Sequence, residues 1–235
     1  MTASLRRVGH KGADLIEPGN TRASFDAALA HGVDMIELDV LRERGSDRLI
    51  LAHDYEAAGR RAPLTLAEGL AHLASPPFAS IELMVDLKLP GYELRVLEAL
   101  SELGLTKRAL ISSQLRESLA RIRAVDRTVR LGWTVPRARR DYTRSPLLAG
   151  PALAALRCMR MVLPRSASAA LRQGLCDAIV AHWRLITPRL VTAIERAGGE
   201  LYAWTVDDPA RIRALEALGV TGVITNDPRL FSAPA

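Results

Sequence analysis

The sequence predicts an α/β protein built as a (β/α)8 TIM barrel, and three observations carry that expectation. Short apolar segments alternate with helical patterns along the whole chain, and eight of them occur, near residues 6–10, 34–40, 81–87, 108–112, 129–134, 177–182, 200–206 and 221–225. The length of 235 residues suits eight strand–helix units, which typically take from ~200 to ~250 residues. Polar residues collect at the C-terminal ends of several strands, where barrels of this kind build their sites.

The elements between the strands are legible in order. NTRASFDAALAHG predicts a helix capped by Asn20 and stopped by Gly32; TPRLVTAIERAGG predicts one from Thr187 to Gly198; DDPARIRALEALG is capped by Asp207 or Asp208 and stopped by Gly219. Two stretches depart from plain alternation. RERGSDRLILAHD reads as a turn at residues 45–47 and a small extra strand, forming a hairpin after strand 2 and ending in His53-Asp54. Residues 144–175 read as an irregular helical insertion after strand 5, interrupted at Pro146, Pro151 and Pro164. No linker divides the chain, so a single domain over residues 1–235 is expected.

Composition narrows the function classes. With 49% hydrophobic and 25% charged residues the chain has the makings of a packed core, which excludes a disordered protein. No apolar run approaches the ~20 residues of a membrane span, and MTASLRRVGHKGA lacks the apolar stretch of a signal peptide, so a cytoplasmic location is expected. Cys158 and Cys176 lie in no metal-ligand spacing and read as reduced, structural thiols. The net charge of +6 favours anionic partners such as phosphate esters or acidic lipid. Aromatics, at 4%, are too sparse to interleave with the basic residues, so no nucleic acid partner is expected. Residues 144–175 read first as packing against the barrel wall; their mixture of leucines, methionines and arginines makes a peripheral membrane contact the alternative.

Chemistry concentrates at four strand ends. In VDMIELDV, side chains alternate, which puts Glu37 and Asp39 on the inward face and Ile36, Leu38 and Val40 on the helix-facing side. Two carboxylates inside a barrel need a positive partner, because an uncompensated buried charge costs several kcal/mol. A divalent cation with oxygen ligands, magnesium or calcium, meets that need, and pairing with arginines is the alternative. LMVDLKLPG repeats the arrangement with Asp86, a third ligand candidate, and Lys88, either a phosphate-facing cation or the partner of Asp86 in a plain ion pair. His10 and His53 close the first strand and the extra strand, and two imidazoles beside a carboxylate cluster suit proton transfer across a phosphodiester. His31 and His72, in helical patterns, read as structural; His182, closing the sixth strand, is intermediate, with the structural reading favoured.

These motifs resemble the glycerophosphodiester phosphodiesterase family. Its His-Arg-Gly, Pro-Glu-Asn-Thr, Glu-Leu-Asp-Val, His-Asp, Glu-x-Lys, Trp-Thr-Val and Thr-Asp-x-Pro motifs are met in order. Here they read His10-Lys11-Gly12, Pro18-Gly19-Asn20-Thr21, Glu37-Leu38-Asp39-Val40, His53-Asp54, Asp86-Leu87-Lys88, Trp204-Thr205-Val206 and Thr225-Asn226-Asp227-Pro228. The resemblance implies a metal-dependent hydrolase that splits a small-molecule glycerophosphodiester into glycerol 3-phosphate and an alcohol. It further implies that Glu37, Asp39 and Asp86 hold the divalent metal, His10 and His53 are catalytic, Lys11 and Lys88 meet the phosphate, and Trp204 lines the pocket. Three positions depart from the family: Lys11 stands for arginine, Asp86 for glutamate, and Gly19 for glutamate, with Glu17 as the nearby substitute. Sphingomyelinase D-like barrels also use aspartate as third ligand. A lysophospholipase D type activity on lysolipids and a catalytically silent barrel binding phospholipid headgroups are the competing readings; an unrelated phosphosugar-binding barrel is disfavoured by the lack of a glycine-rich phosphate loop.

Overall fold

A computed structural model describes residues 4–136 and 149–232. Its strands are β1 (Arg6–Gly9), β2 (Met35–Arg42), β3 (Leu49–Leu51), β4 (Glu82–Leu87), β5 (Ala109–Ser113), β6 (Arg130–Val135), β7 (Ala178–His182), β8 (Glu200–Trp204) and β9 (Gly222–Thr225). All except β3 run parallel to their neighbours, and β1 pairs with both β2 and β9, so the eight parallel strands close into a barrel. Each of the eight apolar segments of the sequence is one of these strands. The helices are α1 (Arg22–Ala30), α2 (Tyr55–Arg60), α3 (Leu66–Leu73), α4 (Glu93–Glu102), α5 (Arg116–Val125), α6 (Ala149–Arg172), α7 (Pro188–Glu195) and α8 (Pro209–Leu218).

Strand alternation divides the apolar residues into two bodies. Ile36, Leu38, Val40, Leu83, Val85 and Leu87 face outward and join the core beneath the helices. Val8, Met35, Met84, Leu110, Tyr202 and Ile224 face inward and fill the barrel. Burying each such side chain contributes about 1.5–3 kcal/mol relative to exposure. Below that plug lies a closed ring of charges: Arg6 meets Glu82 at 3.2 Å and Glu200 at 3.4 Å, while Arg130 meets Glu82 at 2.8 Å and Glu200 at 2.7 Å. The four come from alternate barrel strands, as one layer of a barrel interior does. Tyr202 Oη accepts from Arg6 at 2.7 Å and donates to Glu200 at 3.1 Å. The N-terminal end of the barrel is thus sealed by paired charges, which leaves the C-terminal end for chemistry.

Three local expectations meet the structure differently. The hairpin after strand 2 forms as expected: β3 pairs antiparallel with β2, Val40 opposite Leu51, around a turn in which Gly45 has φ 72°. The insertion is not irregular where it is described, because residues 149–172 form one helix that runs through Pro164. Proline removes one i→i−4 hydrogen bond, a loss of about 3 kcal/mol in a helix interior, and burial of Leu163, Ala167, Ala170 and Leu171 offsets it. Residues 144–148, with Pro146, Leu147 and Leu148, lie outside the described residues. Asn20 does not cap α1. Thr21 caps it, in a reciprocal pair with Ser24, and Asn20 is released for another task.

Candidate active site

The mouth of the barrel is built from residues at the ends of β1, β2 and β4. Glu37, Asp39 and Asp86 are buried and offer carboxylate oxygens within 4.8 Å of one another. Each is oriented by a dedicated donor. The Lys11 amide donates to Glu37 Oε2 at 2.8 Å. Asn20 grips Asp39 twice, its Nδ2 donating to Asp39 Oδ2 at 2.9 Å and its Oδ1 accepting from the Asp39 amide at 3.0 Å. Ser112 Oγ donates to Asp86 Oδ1 at 2.6 Å, and Thr134 Oγ1 lies 3.3 Å from the same oxygen. Lys88 Nζ completes the group, 2.6 Å from Asp86 Oδ2 and 2.5 Å from Asp39 Oδ1.

The electrostatics follow from crowding three acids around one lysine. Burial, with Asp39 as the next cause, pushes the Glu37 carboxyl well above its usual range. Burial would also raise Asp39, but Lys88 and then His53 and His10 hold it below the usual carboxylate range. Burial works to lower Lys88, and Asp39, Asp86 and Glu37 together keep its ammonium above the usual lysine range. One lysine cannot balance three carboxylates, and the strain falls on Glu37. Among the described residues the buried Asp39 Oδ1 has no neutral donor of its own and is met only by the Lys88 ammonium. Three convergent hard oxygens with one lysine among them suit a magnesium or calcium ion.

His10 stands beside this cluster with Nε2 3.9 Å from Glu37 Oε2. Its Nδ1 lies 2.5 Å from Asn226 Oδ1. Asn226 Nδ2 and its amide both donate to the Asp207 carboxylate, at 2.7 and 2.8 Å. A carboxylate only accepts, so the amide oxygen of Asn226 must face His10, and His10 carries its hydrogen on Nδ1. Burial, then Lys11, lowers the imidazole pKa to about 4. His53 follows β3 and is half exposed, with Nδ1 3.0 Å from Asp54 Oδ2. The other Asp54 oxygen accepts from the Ala57 amide at 2.8 Å and so caps α2. The Ala52 amide donates to the Asp39 carbonyl at 3.2 Å, which ties this segment to the end of β2.

The remaining candidates fall around the same mouth. Trp204 closes β8, donates from Nε1 to the Val180 carbonyl at 3.0 Å, and meets the His182 ring edge-on at 5.2 Å. His182 therefore belongs to the mouth as well, and its position at a strand end was the one signal of this in the sequence. His72 is structural as expected, 2.8 Å from Asp26 and against Phe78. Lys11, in the left-handed region at φ 51°, pairs with Asp14 at 2.8 Å. Glu17 is exposed and makes no side-chain hydrogen bond or ion pair among the described residues, so the carboxylate near Gly19 comes from Asp14 instead.

A parallel barrel with three convergent acids, a lysine and two histidines at its C-terminal end defines a class of barrel suited to phosphoester chemistry on a hard cation. Comparison with known proteins is specific. The Glycerophosphoryl diester phosphodiesterase family matches residues 75–230, a span holding Asp86, Lys88 and Trp204. A glycerophosphodiester phosphodiesterase of Caldanaerobacter subterraneus subsp. tengcongensis is 25% identical over 254 residues, covering 94% of this chain and 93% of that protein. The crystal structure of a glycerophosphodiester phosphodiesterase from Parabacteroides distasonis superposes with a TM-score of 0.75 at 16% identity, covering 99% of each chain. A phosphodiesterase of Oleispira antarctica, solved in complex with the product sn-glycerol-3-phosphate, superposes at 0.70 with 19% identity, covering 97% of this chain and 95% of that one. The chain belongs to the glycerophosphoryl diester phosphodiesterase family, and so to the phosphoric diester hydrolases.

Proposed function

We propose that this enzyme hydrolyses glycerophosphodiesters to glycerol 3-phosphate and an alcohol with a divalent cation held by Glu37, Asp39 and Asp86. The observation that carries the proposal is the convergence of three buried carboxylates on one another with a single lysine to balance them. When bound, the cation supplies Lewis-acid stabilisation of the phosphoryl oxygens. Lys88 and Lys11 add positive charge where the phosphate gains negative charge in the transition state. His10 is neutral at pH 7 with the Nε2 lone pair free, and a cation on Glu37 would push its pKa the same way. It is therefore the base, taking the proton of the attacking oxygen, whether from water or from a hydroxyl of the substrate. His53, steadied by Asp54, gives a proton to the alkoxide as the P–O bond breaks. Trp204 and His182 wall the pocket.

The deciding experiment is a panel of glycerophosphocholine, glycerophosphoethanolamine, glycerophosphoglycerol and lysophospholipids, with and without chelator, read by released headgroup. Turnover of the glycerophosphodiesters that chelator abolishes is expected. Turnover of lysolipids alone would favour the lysophospholipase D type reading, and none on any diester would leave the headgroup-binding barrel. We include in the proposal a peripheral contact of the α6 region with lipid, supported by Leu153, Met161 and Val162, which are 51%, 60% and 56% exposed. No helix among the described residues is long and apolar enough to cross a membrane.

A further inference from the structure

On the flank of the barrel, away from the mouth, α6 and α7 enclose an open groove of about 370 Å³. Its walls carry Arg165 and Arg172 from α6, Arg189 from α7 and Arg196 from the C-cap of α7, with Thr192 beside them. The helices are held close at its base, where Ser168 Oγ donates to the Ala193 carbonyl at 2.9 Å. Close packing there draws four exposed guanidiniums together. Several exposed arginines elsewhere pair with a carboxylate, as Arg7 does with Asp34, Arg48 with Glu43 and Arg229 with Asp227, whereas others such as Arg22 and Arg127 stand singly among the described residues; what the groove adds is four guanidiniums on facing walls. None of the four groove arginines has an acidic partner among the described residues, and no carboxylate lines the groove.

The spacing selects a class of ligand. Arg165 and Arg172 are seven residues apart, as are Arg189 and Arg196, which is two helical turns or about 10.5 Å along each wall. Both helices follow parallel strands and run the same way, so the arginines form two tiers, each with one guanidinium per wall. Guanidiniums take phosphate oxygens through paired N–H donors. The groove is therefore made for two phosphate groups side by side. Met161, 60% exposed, lies one turn before Arg165 on the same face of α6, with Val162 next to it. Exposed apolar side chains next to cationic ones fit the boundary between headgroups and acyl chains, and serve no purpose against a soluble polyanion.

We propose that the α6–α7 groove is a headgroup site for anionic phospholipids, which seats the enzyme on a bilayer by its flank while its mouth stays open to substrate. The inference rests on the lipid contact proposed above and adds to it a defined phosphate site.

The test uses vesicles of phosphatidylglycerol in phosphatidylcholine, pure phosphatidylcholine vesicles, and tripolyphosphate titrated calorimetrically. The proteins are the wild type, Arg165→Gln/Arg196→Gln, and a charge-matched control, Arg22→Gln/Arg127→Gln, drawn from exposed arginines outside the groove. Turnover of a soluble glycerophosphodiester should be unchanged in both variants and reports that they fold. The wild type and the control should bind the anionic vesicles alike, salt should release both, and the groove variant should bind roughly tenfold or more weakly. Equal loss in groove variant and control would reduce the effect to net charge and overturn the site. Undiminished vesicle binding by the groove variant would overturn it too, while leaving the lipid contact standing. Tripolyphosphate binding that needs Arg165 and Arg196, without vesicle binding, would overturn the lipid occupant. No binding of any probe by the wild type would overturn both the site and the lipid contact.

Discussion

The carboxylate of Asp14 occupies the space that a side chain on Gly19 would take. A Cβ on Gly19 would lie 2.4 Å from Asp14 Oδ1, and that same oxygen accepts from the Gly19 amide at 2.8 Å while Oδ2 accepts from Lys11 Nζ at 2.8 Å. Lys11, Asp14 and Gly19 thus form one hydrogen-bonded unit, in which the Asp14 carboxylate and a side chain at position 19 exclude each other.

Asp14→Ala should free Lys11, and loss of one charge-assisted hydrogen bond of about 1.5–3 kcal/mol predicts a fall in kcat/KM of roughly tenfold to a hundredfold. Gly19→Glu alone should destabilise by overpacking against Asp14, yet in the Asp14→Ala background it should restore part of the lost activity. Steady-state kinetics of the four proteins check this; failure of the double variant to exceed Asp14→Ala would show that Asp14 acts in some other way. The pH dependence has a definite sign. Burial would raise the Asp14 carboxyl, but Lys11 holds it below its usual value. Its contribution to stability is therefore present above the ordinary carboxylate pKa and lost as pH falls through the lower folded value. Asp14→Asn should flatten the acid limb of the melting-temperature profile.

A second positioning residue is Asn226, whose amide fixes the tautomer of His10. Asn226→Ala should lower kcat by tenfold or more, with KM changed little, because His10 would still be present but free to turn or to carry its hydrogen on the wrong nitrogen. Asp207→Asn should produce a milder version of the same defect, since an asparagine at 207 can present its NH2 to Asn226 and reverse the amide. A KM effect without a kcat effect in either variant would assign these residues to substrate binding instead.

The barrel and the acids were legible in the sequence because both obey a period. Glu37 and Asp39 sit two apart between outward-facing apolar residues, and a strand read by alternation places them inside without further information. Their partners carry no such signature. Asn20 reaches Asp39 across 19 residues and Asn226 reaches His10 across 216, so only the closed barrel brings them together. Asn20 also looked like a cap, because asparagine is a good one. Thr21 won that position through its exchange with Ser24, and the backbone of Asn20 at φ 60° turned its side chain inward. Pro164 misled for a different reason: proline disfavours a helix locally, and the buried face of α6 decides the matter globally.

The charge ring at the closed end of the barrel predicts a variant that loses stability and keeps activity. Arg130→Met leaves Glu82 and Glu200 each short of one partner in a site about two-thirds buried. Breaking a fully buried pair costs about 3–5 kcal/mol, and partial exposure reduces this to roughly 1–3 kcal/mol. Denaturant titration should show that loss, while kcat at 25 °C stays at the wild-type value because the ring lies at the opposite end from Glu37. A drop in kcat that outweighs the loss of folded protein would mean the two ends of the barrel are coupled.

The acid cluster predicts metal dependence. Chelator should abolish turnover, and magnesium or calcium should restore it and raise the melting temperature, because the cation binds the folded state alone. Glu37→Gln removes one of the three acids and should weaken cation affinity by at least tenfold, measured by calorimetry independently of activity. The same variant should be more stable than the wild type when no cation is present, since Glu37 is the carboxyl whose charge the site tolerates least. Full activity after confirmed metal removal would end the metal assignment.

The histidine pair is the prediction on which the reaction itself rests. His10 is partly buried, fixed through Asn226 and, with its pKa lowered to about 4, neutral at pH 7; His53 is half exposed and steadied by Asp54, and both act electrostatically on Asp39. Proton-transfer partners contribute roughly 10²–10⁴ in rate, so each alanine variant should lose about that much. Because the two act in one transition state, the double variant should be scarcely slower than the worse single one. The acid limb of the wild-type kcat/KM profile should report protonation of His10, and the depressed value of about 4 places that limb well below the ordinary imidazole range. A substrate with a good leaving group separates the roles, since an activated nitrophenyl ester no longer needs a proton donor. On that substrate His53→Ala should recover most of its loss, whereas His10→Ala should not. Recovery by His10→Ala instead would reverse the assignment of base and acid, and near wild-type turnover of natural diesters by His53→Ala would remove that histidine from the reaction.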